Sequence, residues 1–301
     1  TLFDITINVM NGIKDVIKEV KPDIVLVHGD TSTTFATALA CFYLKIPVGH
    51  VEAGLRTYNI DSPFPEEFNR QAVGIVAKYN FAPTEKAKEN LIKEGKKADT
   101  IYVTGNTAID ALKTTIKDNY YHKEFDWIGN SKLILITAHR RENIGKPMHN
   151  MFRAIRRIVE EYSNIRVIYP IHMNPAVRQI ASEELGNCEN IHIIEPLDVI
   201  DFHNFMKKSY LILTDSGGIQ EEAPGLGKPV LVMRDTTERP EGIDAGTLKL
   251  VGTDEDNIYS SFKVLIDNEE EYKKMSQAKN PYGDGYASVR IADVLERGVI
   301  Q

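Results

Sequence analysis

Polar side chains able to transfer protons or hold phosphate follow the short apolar runs of this sequence at five places. The five segments are His28-Gly29-Asp30-Thr31, Glu52-Ala53-Gly54, Thr137-Ala138-His139-Arg140-Arg141-Glu142, His172-Met173-Asn174 and Thr214-Asp215-Ser216-Gly217-Gly218. In open α/β sheets, ligands bind outside the carboxyl ends of the strands, where such segments come together. The repeated placement therefore predicts a ligand site rather than five unrelated polar turns.

Three carboxylates in the amino-terminal half are candidates for acid and base chemistry: Asp30, Glu52 and Glu66. Glu52 directly follows the apolar run Val48–Val51, and an acidic residue at the end of a buried strand indicates a functional role. Asp30 and Glu66 have alternatives, because Asp30 could cap the following helix and Glu66 could cap the next helix or complement its dipole. Arg70 follows Glu66 by four residues, so the two side chains either face one cleft or form a helical ion pair.

A phosphate-binding turn is predicted at Asp215-Ser216-Gly217-Gly218, between a strand and a helix. The two glycines let the backbone approach a ligand closely, and the N–H groups at the start of the helix suit a diphosphate. Glu222 lies one helical turn further, where its carboxylate could accept hydrogen bonds from a ribose diol. Arg239, after the next strand, carries a planar fork of donors suited to phosphate. The alternatives are an N-cap at Asp215 or Ser216 and a surface role for the arginine.

Histidines mark two further strand ends. His172 precedes an Asn-Pro turn, which favours contact with phosphate or proton transfer over a place in the core. The segment 139–142 could equally line a cleft or form a salt-bridged loop. No close spacing of histidines or cysteines indicates a metal site, and Walker, Gly-x-Ser-x-Gly and Gly-x-Gly-x-x-Gly motifs are absent from the sequence. We therefore expect neither a metal nor a cofactor.

Strand-like and helix-like stretches alternate along the chain, which predicts parallel sheets covered by helices on both faces, an α/β fold. Strands are predicted at 23–27, 47–52, 79–82, 100–104, 133–137, 165–169, 191–194, 211–214 and 230–233. Helices are predicted at 2–20, 32–44, 66–77, 85–95, 107–118, 148–162, 176–186, 199–208, 217–226, 255–266 and 285–297. A change of composition at 117–130 predicts a boundary between two domains, residues 1–116 and 117–283.

Composition excludes several classes of protein. The 301 residues carry 36 basic and 43 acidic side chains, a net charge of −7, which argues against a nucleic-acid or anionic-membrane binder. The apolar runs are far shorter than the roughly 20 residues needed to span a bilayer. Two cysteines are too few for a disulfide framework and fit a reducing cytosol.

Six segments together carry a family resemblance. They are His28-Gly29-Asp30-Thr31-Ser32-Thr33-Thr34, Gly49-His50-Val51-Glu52-Ala53-Gly54-Leu55-Arg56-Thr57, Pro63-Phe64-Pro65-Glu66-Glu67-Phe68-Asn69-Arg70, Thr137-Ala138-His139-Arg140-Arg141-Glu142, residues 215–224 and Asn280-Pro281-Tyr282-Gly283-Asp284-Gly285. In this order they closely resemble the non-hydrolysing UDP-N-acetylglucosamine 2-epimerases. The resemblance implies a glycosyltransferase-B-like fold: two Rossmann-like lobes around a deep cleft, with the last helix, 284–301, crossing back to the first lobe. The family's opening strand and its Gly-Thr-Arg-Pro-Glu turn do not occur here, so we expect the first lobe to be truncated at its amino end.

The resemblance also implies an activity, the reversible epimerisation at C2 of UDP-N-acetylglucosamine to UDP-N-acetylmannosamine. The implied route is anti elimination of UDP to 2-acetamidoglucal, followed by re-addition of UDP with protonation on the opposite face. A cytoplasmic homodimer is implied, supplying N-acetylmannosamine for cell-surface polysaccharide, with no nucleic-acid or membrane partner. Three rivals stay open: a UDP-sugar glycosyltransferase on the same fold, a non-catalytic UDP-sugar-binding protein, and the hydrolysing type of 2-epimerase.

Site roles follow from the resemblance, position by position. The catalytic group comprises Asp30, Glu52 and Glu66 as acid/base carboxylates, His172 as the cleft histidine, and Arg70. The UDP-binding group comprises Phe202 in the uracil pocket together with Ser216, Gly217, Gly218, Glu222 and Arg239. Leu197 stands where some members of the family have a glutamine, so a side-chain contact from this position to uracil is not expected.

Overall fold

The computed structural model describes residues 1–299 as alternating strands and helices. The strands are β1 Val25–His28, β2 Val48–Val51, β3 Tyr79–Ala82, β4 Ile101–Val103, β5 Lys132–Thr137, β6 Ile165–Pro170, β7 Ile191–Ile194, β8 Leu211–Thr214, β9 Val230–Val232 and β10 Leu248–Leu250. The helices are α1 Leu2–Val20, α2 Ser32–Leu44, α3 Glu66–Val76, α4 Glu85–Lys93, α5 Thr107–Thr115, α6 Glu124–Ile128, α7 Lys146–Glu161, α8 Pro175–Leu185, α9 Val199–Lys208, α10 Ile219–Gly225, α11 Pro240–Asp244, α12 Glu255–Asp267, α13 Glu269–Ser276 and α14 Ala287–Val299. Among these helices none is both long enough and apolar enough to cross a membrane.

The chain divides into two compact units, residues 1–110 with the chain from Tyr282 onward, and residues 111–281. Each unit contains one sheet whose strands are all parallel. The predicted α/β class is therefore confirmed. The domain boundary predicted between residues 116 and 117 stays a prediction.

The first unit is built on a four-stranded sheet in the order β1-β2-β3-β4. Helices α1 and α2 pack over it through Ile17 and Cys41, which meet Val27 and Val48 of the sheet. Ile291 of α14 packs against strands β2 and β3. The register pairs His28 with Val51, so β1 and β2 end side by side and the residues that follow them share one sheet edge.

The second unit is built on a six-stranded sheet in the order β10-β9-β8-β5-β6-β7. Its central strands β5 and β8 are buried almost throughout, as expected for strands covered by helices on both faces. Helix α7 buries one continuous apolar face, including Met148, Phe152 and Ile155, in the core of this unit. Thr137 pairs with Thr214, which places the segments after β5 and β8 next to each other.

Four short elements were not predicted from the sequence: β10, α6, α11 and α13. Strand β10 has only three residues and exposes Lys249 at its centre, so no apolar run marks it. Helices α6 and α11 have five residues each, too few to show a helical period, and α13 buries no residue at all. Patterns of apolar residues therefore reveal the elements that build the core and miss those at its margin.

Candidate functional site

Asp30 and Glu52 lie at the adjoining carboxyl ends of β1 and β2. Gly29 has a φ of +70°, and a Cβ atom placed on it would lie 3.1 Å from Oε2 of Glu52. Glu52 itself has a φ of +66°, in the left-handed region that non-glycine residues seldom occupy. His28 approaches the same carboxylate, with 3.8 Å between its Nε2 and Oε2 of Glu52. The structure thus brings two of the predicted carboxylates to one edge.

Arg70 is buried beside Asp30 and holds its carboxylate. Nη2 of Arg70 donates to Oδ2 of Asp30 at 2.6 Å, while Nη1 lies 3.3 Å from Oε2 of Glu67. The helical ion pair between Glu66 and Arg70 considered from the sequence is not formed in the described part of the chain. Capping by Asp30 is also wrong, because Thr31 is the N-cap of α2 and accepts from the backbone N–H of Thr34.

Glu67, which the sequence analysis did not single out, is a fully buried member of this network. Its carboxylate accepts hydrogen bonds from the backbone N–H groups of Thr57 and Tyr58 and from the amide of Gln71. The only feature of the sequence that could have indicated this role is the position of Glu67 in the Pro-Glu-Glu segment, next to Glu66. Glu66 begins α3, where a carboxylate suits the helix dipole, and its Oε2 is buried without a hydrogen-bond partner among residues 1–299.

The side chain of His50, in β2, is hydrogen-bonded to the turn that carries Asp30. Its Nε2 donates to the backbone carbonyl of Gly29 at 2.8 Å. Complete burial lowers the pKa of His50 to about 4, so the ring is neutral at pH 7. A neutral histidine with Nε2–H thus anchors the turn that carries Asp30.

In the second unit, Asp215 ties the segment after β8 to the segment after β5. Its buried Oδ2 accepts from the backbone N–H groups of His139 and Arg140, each at 2.9 Å, and from the amide of Asn143 at 3.1 Å. The N-cap of α10 is Gly218, which has no side-chain cap bond, so capping by Asp215 or Ser216 is wrong. Asp215 instead holds two strand ends together.

Arg239 packs against the glycine turn. A Cβ atom built on Gly217 would lie only 2.5 Å from Nη1 of Arg239. The guanidinium is buried and pairs with the buried carboxylates of Glu221 and Glu238. The surface role considered for this arginine is therefore wrong, and Arg239 lies at the turn that the sequence predicts to bind phosphate.

A pocket of about 360 Å³ opens beside the same strand ends. It is lined by Thr137, Ala138, His139, Pro170, Ile171, His172, Met173, Pro196, Leu197, Phe202 and Ile219. The imidazole rings of His139 and His172 stack with their centroids 5.2 Å apart. Two residues predicted from different segments, His172 and Phe202, thus line one cavity, and Leu197 lies there with them.

His139 belongs to the segment for which the sequence allows either a cleft-lining role or a salt-bridged loop, and the structure places it in this pocket. Its Nδ1 lies 3.7 Å from the buried Oδ1 of Asp215. Burial lowers the pKa of His139, while the nearby Asp215 carboxylate opposes that shift. A half-buried imidazole whose pKa is lowered in this way favours its neutral form, which can accept a proton.

Glu222 lies one turn into α10, with its Oε1 facing Gly218: a Cβ atom on Gly218 would be 3.7 Å away. Its other oxygen lies 3.5 Å from Nε2 of His203. Within residues 1–299, no group of three or more histidine, cysteine or acidic side chains is arranged to hold a metal ion.

Comparison with known proteins gives a family for this arrangement. A family model described as UDP-N-acetylglucosamine 2-epimerase matches residues 1–296. The UDP-N-acetylglucosamine 2-epimerase of Bacillus subtilis (strain 168) is 64% identical over 295 residues, covering 98% of this chain and 78% of the relative.

Two solved structures are similar throughout this chain. The S. aureus MnaA–UDP co-structure has 58% identity and a TM-score of 0.97, covering 98% of this chain and 81% of the other. The UDP-GlcNAc 2-epimerase from Neisseria meningitidis bound to UDP-GlcNAc has 49% identity and a TM-score of 0.94, covering 99% of this chain and 82% of the other. These matches confirm both the family resemblance found in the motifs and the glycosyltransferase-B-like fold.

Proposed function

This chain belongs to the UDP-N-acetylglucosamine 2-epimerase family of isomerases, and we propose that it interconverts UDP-N-acetylglucosamine and UDP-N-acetylmannosamine by elimination and re-addition of UDP. One observation carries this route: Asp30 and Glu52 stand at adjacent strand ends, with Arg70 bonded to Asp30 and His28 lying beside Glu52. A base removes the proton from C2 while the C1–O bond to the diphosphate breaks, leaving a C1–C2 double bond. In the return step UDP adds to C1, and an acid delivers a proton to the other face of C2.

Inversion at C2 needs proton-transfer groups on both faces of the sugar ring. We assign these roles to Asp30, Glu52 and Glu66, with Arg70 orienting Asp30 through the 2.6 Å contact. His172, which stacks on His139 in the pocket of the second unit, handles a proton or contacts phosphate. The departing UDP carries away the electron pair of the C1–O bond, so donors at the diphosphate lower the barrier.

The UDP site is assigned to the second unit. The Ser216-Gly217-Gly218 turn and Arg239 lie together and are suited to the diphosphate. Phe202 lines an apolar pocket of a size that accepts a uracil ring, and Glu222 faces the turn from one helical turn away. The two structural relatives are complexes with UDP and with UDP-GlcNAc, which supports the same ligands here.

The family also suggests a setting for the reaction. We assign the product to the supply of N-acetylmannosamine for cell-surface polysaccharide, and the enzyme to the cytoplasm. A homodimer is supported by large apolar side chains that are exposed on the neighbouring helices α2 and α3. Phe42, Tyr43 and Ile75 are 59%, 65% and 77% exposed. The rings of Phe42 and Tyr43 are adjacent, with centroids 6.2 Å apart, and contiguous exposed apolar area is typical of protein–protein interfaces.

Turnover in D2O tests the proposed route. Incubation with UDP-N-acetylglucosamine should place deuterium at C2 of both epimers, as measured by NMR, because the returned proton comes from solvent. Asp30→Asn, Glu52→Gln and Glu66→Gln should each depress both exchange and epimerisation. Glu89→Gln, at an exposed acid on α4 of the same unit, serves as the matched control and should leave both rates unchanged.

The same incubation separates the rival functions. Epimers that retain the original C2 proton would contradict the elimination route. Free N-acetylmannosamine without its UDP-linked form would indicate the hydrolysing type. Sugar transfer to an acceptor without C2 exchange would indicate a glycosyltransferase, and binding of UDP without any turnover would indicate a binding protein.

A further inference from the structure

His203 is a buried histidine whose two ring nitrogens have different partners. It follows Phe202 on α9 and is only 4% exposed. Its Nδ1 lies 2.7 Å from the hydroxyl of Thr115, and its Nε2 lies 3.5 Å from Oε2 of Glu222. The imidazole therefore bridges the end of α5 and the carboxylate beside the glycine turn.

The position of the ring proton follows from these partners. A carboxylate only accepts hydrogen bonds, so the arrangement beside Glu222 favours a proton on Nε2 of His203. Nδ1 can then accept the hydroxyl proton of Thr115, which in this state is not donated to the other nearby acceptor, the carbonyl of Ala111 at 2.9 Å. With its proton on Nε2, His203 presents an N–H to Glu222.

Glu222 needs such a partner if an anion binds nearby. Its Oε1 faces the backbone of Gly218, close to where the proposed site would hold two phosphate groups. The negative charges of the Glu222 carboxylate and of the phosphates repel each other, and this repulsion grows as water is excluded. An N–H on Nε2, 3.5 Å from Oε2, opposes this repulsion and favours the orientation in which Oε1 faces Gly218.

We propose that His203 is a positioning residue that holds Glu222 for the 2′,3′-diol of a ribose, and so makes the site select ribonucleotides over 2′-deoxyribonucleotides. This inference rests on the proposed function, which assigns UDP to the second unit. A carboxylate accepts hydrogen bonds from both hydroxyls only if it stays in one orientation. The 3.5 Å separation leaves room for the contact to shorten when the diol binds.

A purely structural role for His203 would depend on Thr115 instead. The neighbouring Asn204 also binds this end of α5, through its amide to the carbonyl of Thr115 at 2.9 Å, so α9 is tethered there twice. Two substitutions separate the roles. The amide nitrogen of asparagine can occupy the place of Nδ1, facing Thr115, whereas that of glutamine can occupy the place of Nε2, facing Glu222.

The experiment compares binding of UDP and 2′-deoxy-UDP to the full chain by calorimetry. The unsubstituted protein should bind UDP about tenfold more tightly, because a site built to hold a hydroxyl disfavours the analogue that lacks it. In His203→Asn this preference should fall below about threefold, and in His203→Gln it should largely return. His149→Asn is the control: His149 forms a similar pair with Glu184, at 2.7 Å, without contacting the site residues, and the preference should not change.

A second measurement avoids dependence on any one variant. Glu222→Gln should remove the ribose preference by itself, and His203→Asn added to it should change nothing further, because the two residues act as a unit. Equal preference in all the single variants, with UDP still bound, would overturn the role of His203 and leave the proposed function standing. Rescue by asparagine rather than glutamine would show a structural tether only. Failure of the unsubstituted protein to bind UDP would overturn the proposed function and this inference with it.

Discussion

Gly217 and Gly218 are adjacent glycines that should respond in opposite ways to the same added methyl group. A Cβ atom on Gly217 would lie 2.5 Å from Nη1 of Arg239, whereas the first atom met from Gly218 is Oε1 of Glu222 at 3.7 Å, an ordinary contact. Gly218 has a φ of −59°, which alanine adopts without strain. Gly217→Ala must therefore move Arg239, and Gly218→Ala needs no movement.

The size of the effect follows from what holds Arg239. An unstrained contact needs roughly 3.5 Å, so the guanidinium must shift by about 1 Å. That shift pulls it from Glu221 and Glu238, both of which are buried. Losing one hydrogen bond between charged groups costs about 1.5–3 kcal/mol. Gly218→Ala should instead be neutral or stabilising by up to about 1 kcal/mol, because it restricts the unfolded chain.

Urea unfolding followed by tryptophan fluorescence is the appropriate assay. Trp127 is the chain's single tryptophan and lies in the second unit, stacked on His192, so its emission reports the unit that contains both glycines. The midpoint for Gly217→Ala should fall by about 1 M relative to the unsubstituted protein. If both variants unfolded at the same urea concentration, Arg239 would not be confined against Gly217 and the argument from its burial would be refuted.

Two further predictions concern the first unit. Glu67→Gln should destabilise it by about 1.5–3 kcal/mol, because the carboxylate faces Arg70 and accepts backbone hydrogen bonds. Glu66→Gln is the control and should lower the free energy of unfolding by less. The measurement is amide-exchange protection in β1 and β2, and equal losses of protection in the two variants would contradict this reasoning. The pKa of His50 is lowered to about 4 in the folded chain. Between pH 6.5 and pH 4, His50 is therefore protonated in the unfolded chain but not in the folded chain. The contribution of His50 to stability should therefore be complete above pH 6.5 and fall by at most about 1.4 kcal/mol per pH unit down to pH 4, as measured by thermal melting. His50→Gln, which retains a donor for Gly29, should make the observed slope shallower, while His28 and His139, whose pKa values are also lowered, leave a residual slope. An unchanged slope would exclude His50 as a source of it.

Local patterns in the sequence determined most of the architecture and where the site residues lie along it. Buried strands such as β5 are continuous apolar runs, so their positions can be predicted without knowing their neighbours. The polar residues that follow them, and the glycines at 217 and 218, were found in the same way. The family resemblance also depends on short segments, and so it could be drawn before any contact was known.

Contacts between distant segments were decided only by the tertiary structure. Asp30 could have capped a helix, and its partner Arg70, 40 positions away, was equally free to pair with Glu66. The link from Asp215 to His139 spans 76 positions and exists because β8 lies beside β5 in the sheet, an order that the apolar runs do not specify. Apolar burial depends on a residue's own type and spacing, whereas the pairing of charged side chains depends on strand order and on the direction each turn takes.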